Sequence, residues 1–91
     1  MTNIKVSNIV NPNNYNKISN QFVINTNDAE IFQSYNSIIC KITGNKVYLD
    51  ANYWNYSRTT SRWRNVFLNE STQETKKKIK DGVYTLTDLN A

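Results

Sequence analysis

The sequence predicts one α+β domain spanning residues 1–91: a four- to five-stranded, mostly antiparallel sheet with one covering helix and a second short basic helix. Three observations support this class. Short runs of β-branched and aromatic residues alternate with turn residues, which is typical of strands. Gly44-Asn45 separates two of these runs and suits a tight hairpin. Two later segments show helical periodicity and helix-capping residues instead.

The first 35 residues contain three β-prone segments. Residues 1–20 hold a short apolar alternation and then a turn-rich stretch, which indicates a strand or a loose arm followed by a loop. Residues 21–25 include Phe22-Val23-Ile24 and end in a polar turn over residues 25–28. Residues 29–35 should return as a strand with Ile31 or Phe32 facing inward.

The hairpin over residues 37–50 follows from its loop length. Residues 37–43 and 46–50 flank the two-residue loop, so Ile42 should face Val47 and Cys40 should face Leu49. One face then carries the apolar side chains Ile38, Cys40, Ile42, Val47 and Leu49. The other face carries Lys41, Thr43, Lys46 and Tyr48.

Two helices are predicted after an aromatic loop, residues 51–57, which contains Tyr53, Trp54 and Tyr56. The first runs from about Thr59 to Asn69, with Ser57 or Thr59 as N-cap, and its apolar residues Trp63, Val66 and Phe67 recur at helical spacing. The second begins with a capping box, Ser71-x-x-Glu74, and runs to about Lys80. Gly82 is placed for a left-handed C-cap. Residues 83–86 then alternate like a final edge strand.

Positive charge is concentrated in the last third of the chain. Residues 58–80 contain seven Lys or Arg and two Glu, a net charge of +5, whereas the rest of the chain sums to −1. Such a concentration favours a polyanionic partner or an acidic protein surface, although it also suits a solvated face. Aromatic rings beside it could stack on bases. The candidate partner- or nucleic-acid-binding residues are Trp54, Tyr56, Arg58, Arg62, Arg64, Lys76, Lys77 and Lys80.

Composition argues against catalysis, metals and cofactors. The chain has no His, the commonest general base and metal ligand near neutral pH. Its two glycines cannot form a phosphate-binding glycine-rich loop. Cys40 is the single cysteine, which excludes an internal disulfide, and we expect it to be buried as a small apolar residue. We therefore expect a non-enzyme without a cofactor or catalytic residues.

No apolar run reaches the roughly 18–20 residues that span a bilayer. The first residues lack the basic and apolar regions of a signal peptide. These features indicate a cytoplasmic protein that does not bind membranes. The oligomeric state is left open.

The stretch from Phe32 to Leu68 resembles small uncharacterised proteins of phages, plasmids and integrated elements of low-GC Gram-positive bacteria. The shared pattern is Phe-x-Ser-Tyr-x-Ser from Phe32, then Trp-x-Tyr-Ser-x-Thr-Thr from Trp54, and Phe67-Leu68. This resemblance implies a bacterial host cell and an accessory role. It also implies that Ser57, Thr59 and Thr60 are a shared feature, for which a helix cap is one explanation.

Three functions follow as hypotheses. The first is a non-enzymatic phage or mobile-element protein that binds and modulates a host protein, such as an inhibitor of a nuclease or defence system. The second is direct binding of nucleic acid through the basic region Arg58–Lys80. The third is a small structural protein that self-associates through a sheet edge.

Overall fold

The computed structural model describes residues 3–91, in which a six-stranded sheet carries two helices on one face. The elements are β1 (Lys5–Val10), β2 (Lys17–Asn25), β3 (Glu30–Ser34), β4 (Ser37–Thr43), β5 (Lys46–Asp50), α1 (Arg58–Leu68), α2 (Thr72–Lys80) and β6 (Tyr84–Thr87). The strands lie in chain order across the sheet. The predicted α+β class is confirmed, with six strands in place of four to five.

The first five strands form an antiparallel meander, whereas β6 lies parallel to β5. Parallel neighbours need a crossover connection, and α1 and α2 provide it. Residues 5–10 form strand β1, so they are not an arm. Met1 and Thr2 lie outside the described residues. Strand β2 begins at Lys17, earlier than predicted, because residues 17–20, expected to belong to the loop, continue the pairing with β1 as far as Val10 and Lys17.

The β4–β5 hairpin has the predicted register. Ile42 pairs with Val47 and Cys40 with Leu49. Gly44 has a φ of 58°, whereas the φ of Asn45 is negative. A single positive φ at the first loop position is the signature of a type II′ turn, which glycine adopts without strain.

The predicted face assignment is wrong at Ile38. The pairing of β3 with β4 shifts between Phe32 and Gln33, so one extra residue enters β4. This bulge breaks the alternation, and Ile39 is fully buried together with Cys40 while Ile38 is half-buried. The backbone of Ile38 is bonded by the Asn90 side chain, which accepts from its N–H at 2.7 Å and donates to its C=O at 2.9 Å.

Both helices have the predicted capping. The Ser57 hydroxyl accepts the Thr60 N–H at 3.2 Å, so α1 starts at Arg58. In α2, Ser71 and Glu74 exchange the two capping-box hydrogen bonds, each 3.1 Å long. Gly82 takes the predicted left-handed conformation (φ 78°) after α2. Neither helix is long and apolar enough to cross a bilayer, and no other helix occurs within residues 3–91.

The core lies between the helices and the face of the sheet that carries Phe32, Cys40 and Leu49. Helix α1 contributes the buried Trp63 and the ring of Phe67, whose centroid lies 5.7 Å from that of Phe32. Cys40 is fully buried, as predicted, and burial raises the pKa of its thiol far above the usual value. Phe32 is the inward residue of β3.

Trp63→Ala should lower the free energy of unfolding by about 3–5 kcal/mol, because it removes a buried aromatic ring and leaves a cavity under α1. Urea denaturation followed by circular dichroism measures this change. Trp63→Phe keeps a ring at the position and should cost less. An unchanged midpoint for Trp63→Ala would contradict the placement of Trp63 in the core.

Candidate anion-binding surface

Helix α1 presents two arginines to solvent on one flank. Arg58 and Arg62 are four residues apart, which places them one above the other on the helix, and both are exposed. They border an open depression of about 550 Å³ whose other lining residues are all polar and uncharged: Thr59, Ser61, Asn65 and Thr72. Among residues 3–91, no carboxylate lines the depression. It is therefore suited to an anion.

Helix α2 extends this positive surface. Thr72 lines the depression, and Lys76 and Lys80 follow it at intervals of four residues, so helical geometry places them along the same side of α2. Both lysines are exposed. We refer to Arg58, Arg62, Lys76 and Lys80 as the basic stripe. It comprises four of the predicted binding residues.

The two remaining lysines of α2 are paired with carboxylates. Lys77 lies 2.9 Å from Asp81, but both side chains are largely exposed, and such a surface pair leaves Lys77 accessible. Lys78 lies 2.7 Å from the buried Glu70. Burial opposes ionisation of Glu70, yet hydrogen bonds from Lys78, Thr75 and Tyr84 outweigh it and lower the pKa of this carboxyl group.

Arg64, expected among the exposed binding residues, is fully buried. Arg64 is two residues from Arg62, so the two side chains point about 200° apart around the helix. Arg64 therefore faces the aromatic loop instead of solvent. Its guanidinium donates to the Trp54 carbonyl and, at 2.9 Å each, to Asn65 Oδ1 and Thr72 Oγ1. Burial lowers the pKa of Arg64. Arg64 is therefore not available for direct contact with a partner.

The aromatic candidates differ in their accessibility. Trp54 is half-buried against the core, and the Arg64 guanidinium lies 5.1 Å from the centroid of its ring. Tyr56 is 49% exposed, and its loop holds the edge-to-face pair of Tyr53 and Tyr56, with centroids 5.4 Å apart. Tyr56 is thus the ring in this loop better placed to stack on a ligand. Trp54 chiefly packs.

The three hydroxyl residues at the start of α1 have separate roles. Ser57 caps the helix, and Thr59 lines the depression. Thr60 is fully buried and shares a hydrogen bond of 3.0 Å with the Ser34 hydroxyl, which ties α1 to the end of β3. The sequence pattern alone identified the cap. It gave no signal for the contact with Ser34.

A buried carboxylate, which the sequence analysis missed, anchors the aromatic loop. Asp50 accepts the backbone N–H groups of Asn52 (3.0 Å) and Tyr53 (2.9 Å), and also that of Leu89 (2.8 Å) from beyond β6. Burial opposes its ionisation, but these bonds and one from Asn90 outweigh burial and lower the pKa of Asp50. The position of this aspartate, at the end of β5 and directly before the loop, was the sequence feature that could have indicated the anchor.

Within the described residues, no group of three or more His, Cys, Asp or Glu side chains is arranged to hold a metal ion. The comparisons with known proteins give one match. The model of a family of unknown function, DUF8033, matches residues 4–82. No curated protein and no solved structure matches the chain.

Asp50→Asn should destabilise the protein by about 1–3 kcal/mol near neutral pH, because several buried N–H donors lose a charged acceptor. The folded pKa of Asp50 is depressed, so the carboxylate stabilises the fold above its unfolded pKa of about 3.9 and loses this effect as pH falls through the folded value.

Urea denaturation of both proteins between pH 2 and pH 7 provides the check. The difference between the free energies of unfolding of the wild type and Asp50→Asn should become smaller below about pH 4. Glu70 titrates in both proteins, so it cancels in the comparison. A difference that does not vary with pH would show that Asp50 contributes through shape and not through charge.

Proposed function

The chain belongs to DUF8033, a family of unknown function, and we propose that it is a non-enzymatic nucleic-acid-binding protein. It binds the phosphate backbone of nucleic acid through the basic stripe. The observation that carries this proposal is the pair Arg58 and Arg62, exposed one helical turn apart beside a depression without any carboxylate. Lys76 and Lys80 lengthen the surface along α2.

The free cations of the stripe support the phosphate assignment. Lys and Arg contacts to phosphate supply most of the affinity of non-specific binding to nucleic acid. The Arg62 guanidinium lies 4.6 Å from the centroid of the Trp63 ring, which holds its position on α1. Such contacts fix the position of a strand without reading its sequence. The exposed ring of Tyr56 adds a place for a base to stack on a single strand.

A salt-titrated binding isotherm on single- and double-stranded oligonucleotides tests this function. Four phosphate contacts predict that log K falls against log[salt] with a slope of roughly −3, at 0.7–0.9 per contact. Arg62→Gln should weaken binding to all sequences about equally and reduce the magnitude of the slope by about one.

Lys5→Gln is the matched control. It removes one exposed positive charge from β1, which lies at the edge of the sheet opposite β6, and should leave the slope unchanged. Absence of binding even at low salt would eliminate the nucleic-acid function. Equal effects of both variants would show that net charge, and not the stripe, drives binding.

A second candidate function is that of a mobile-element accessory protein that binds and modulates a host protein, such as a nuclease or defence effector. The observation in its favour is the sheet face opposite the helices. Val6, Ile24 and Ile31 are neighbours in one cross-strand row, which continues through Lys41 to Tyr48. Both helices pack on the other face. Val6 is exposed, and Ile24 and Ile31 are half-buried. Apolar side chains on a face that neither helix covers are a feature of protein-binding sites.

Ile24→Lys should abolish a stoichiometric complex with the host protein, because it places a charge within this apolar row. Co-purification from a lysate of a low-GC Gram-positive bacterium, followed by mass determination of the complex, measures the effect. Leu86→Lys, at an exposed position of β6, is the control and should leave the complex intact. A complex that survives Ile24→Lys and is lost with Arg62→Gln would place the protein partner on the basic stripe instead.

A further inference from the structure

Arg64 is a buried cation whose hydrogen-bond partners are all neutral. Its Nη1 donates to the Trp54 carbonyl, to Asn55 Oδ1 at 3.3 Å and to Ser61 Oγ at 3.5 Å. Its Nη2 donates to the side-chain oxygens of Asn65 and Thr72. Its Nε is buried and has no hydrogen-bond partner. Buried charges in proteins are normally paired with a counter-ion, and Arg64 has none among these contacts.

Glu70, the carboxylate whose charge acts on Arg64, already accepts hydrogen bonds from three other side chains. Glu70 influences Arg64 only through space. One Glu70 oxygen binds Lys78 at 2.7 Å and Tyr84 at 2.6 Å, and the other binds Thr75 at 2.6 Å. None of the ion pairs formed among residues 3–91 includes Arg64. Most of its positive charge is therefore not neutralised locally.

This charge lies directly behind the depression on α1. Ser61, Asn65 and Thr72 each accept a hydrogen bond from Arg64, and all three line the depression. Arg58 and Arg62 border the same space from the solvent side. The guanidinium groups of Arg58, Arg62 and Arg64 thus all act on the depression, and no carboxylate of residues 3–91 lines it. Such a field strongly favours an anion with several oxygens.

We propose that the depression is a specific site for one phosphoryl oxyanion, which Arg58 and Arg62 bind directly and which Arg64 stabilises as a fixed buried charge. This inference deepens the proposed function and rests on it for the source of the phosphate. A terminal phosphomonoester and an internal phosphodiester of a nucleic-acid strand present the same chemistry. Guanidinium groups are well matched to either, because they donate two parallel hydrogen bonds to phosphate oxygens.

Inorganic phosphate alone tests the site. Titration of the ¹⁵N-labelled protein with phosphate, against chloride at equal ionic strength, should give saturable shifts of the amide signals of Ser61, Asn65 and Thr72. Arg62→Gln should weaken phosphate binding by at least about tenfold, since it removes charge-assisted hydrogen bonds. Lys5→Gln, on the opposite edge strand β1, should change it by less than about twofold. Shifts that never saturate, or that respond equally to both variants, would overturn the proposal.

The role of Arg64 needs its own variant. Arg64→Gln removes the buried charge but leaves Arg58 and Arg62 in place, and it should weaken phosphate binding by about threefold to tenfold if the amide spectrum remains folded. Unchanged phosphate affinity in folded Arg64→Gln would overturn the role of the buried charge. Should Arg64→Gln fail to fold, Arg58→Gln tests the site itself, because that side chain is exposed. Arg58→Gln is expected to match Arg62→Gln. Unchanged phosphate affinity in Arg58→Gln would overturn the site.

Oligonucleotides of one sequence with a 5′-phosphate or a 5′-hydroxyl separate the two sources. Binding at least about fivefold tighter with the 5′-phosphate would identify a terminal phosphomonoester as the ligand. Equal affinities, both lost in Arg62→Gln, would identify an internal phosphodiester. Saturable binding of inorganic phosphate without any oligonucleotide binding would refute the proposed function while supporting the site. Oligonucleotide binding without a phosphate response would support the function and refute the site.

Discussion

The arrangement of the helical layer depends on one buried guanidinium. Arg64 bonds the carbonyl of Trp54 in the aromatic loop, Asn65 on its own helix and Thr72 at the start of α2. It therefore joins three segments of the helical layer through hydrogen bonds. A buried cation is costly to desolvate, so this polar junction has to keep its geometry to remain favourable. Arg64 thereby fixes the loop, α1 and the first turn of α2 relative to one another.

Local chemistry was enough to predict much of the fold. The Gly44-Asn45 loop set the β4–β5 register, and the Ser71–Glu74 box set the start of α2, because both signals depend on residues close in sequence. The failures involve contacts between distant segments. The bulge that buries Ile39 arises from the pairing of β3 with β4, and no local pattern marks it. The strand count was too low because residues 1–20 were compatible with either a strand or a loose arm, and it is the pairing with β2 that makes residues 5–10 a strand.

The candidate site shows the same division. Helical spacing correctly placed Arg58 and Arg62 on one flank, since the angle between residues four apart is a property of the helix alone. Helical spacing could not show which flank of α1 the aromatic loop covers. Arg64 is buried and Arg62 is exposed because the loop covers the flank that carries Arg64. The anchoring of this loop by Asp50 involves Leu89, 39 residues away. Long-range hydrogen bonds of this kind leave no periodic trace in a sequence.

The burial of Cys40 makes the protein its own reporter of structural opening. The thiol is the only one in the sequence and lies beneath the helices, with a pKa raised by burial. Thiol reagents react with the exposed thiolate, so modification requires separation of the helices from the sheet. The labelling rate at a saturating reagent concentration then equals the rate of that opening, and at low concentration it reports the opening equilibrium. Protection of Cys40 by a bound ligand would measure ligand affinity without the introduction of a second cysteine.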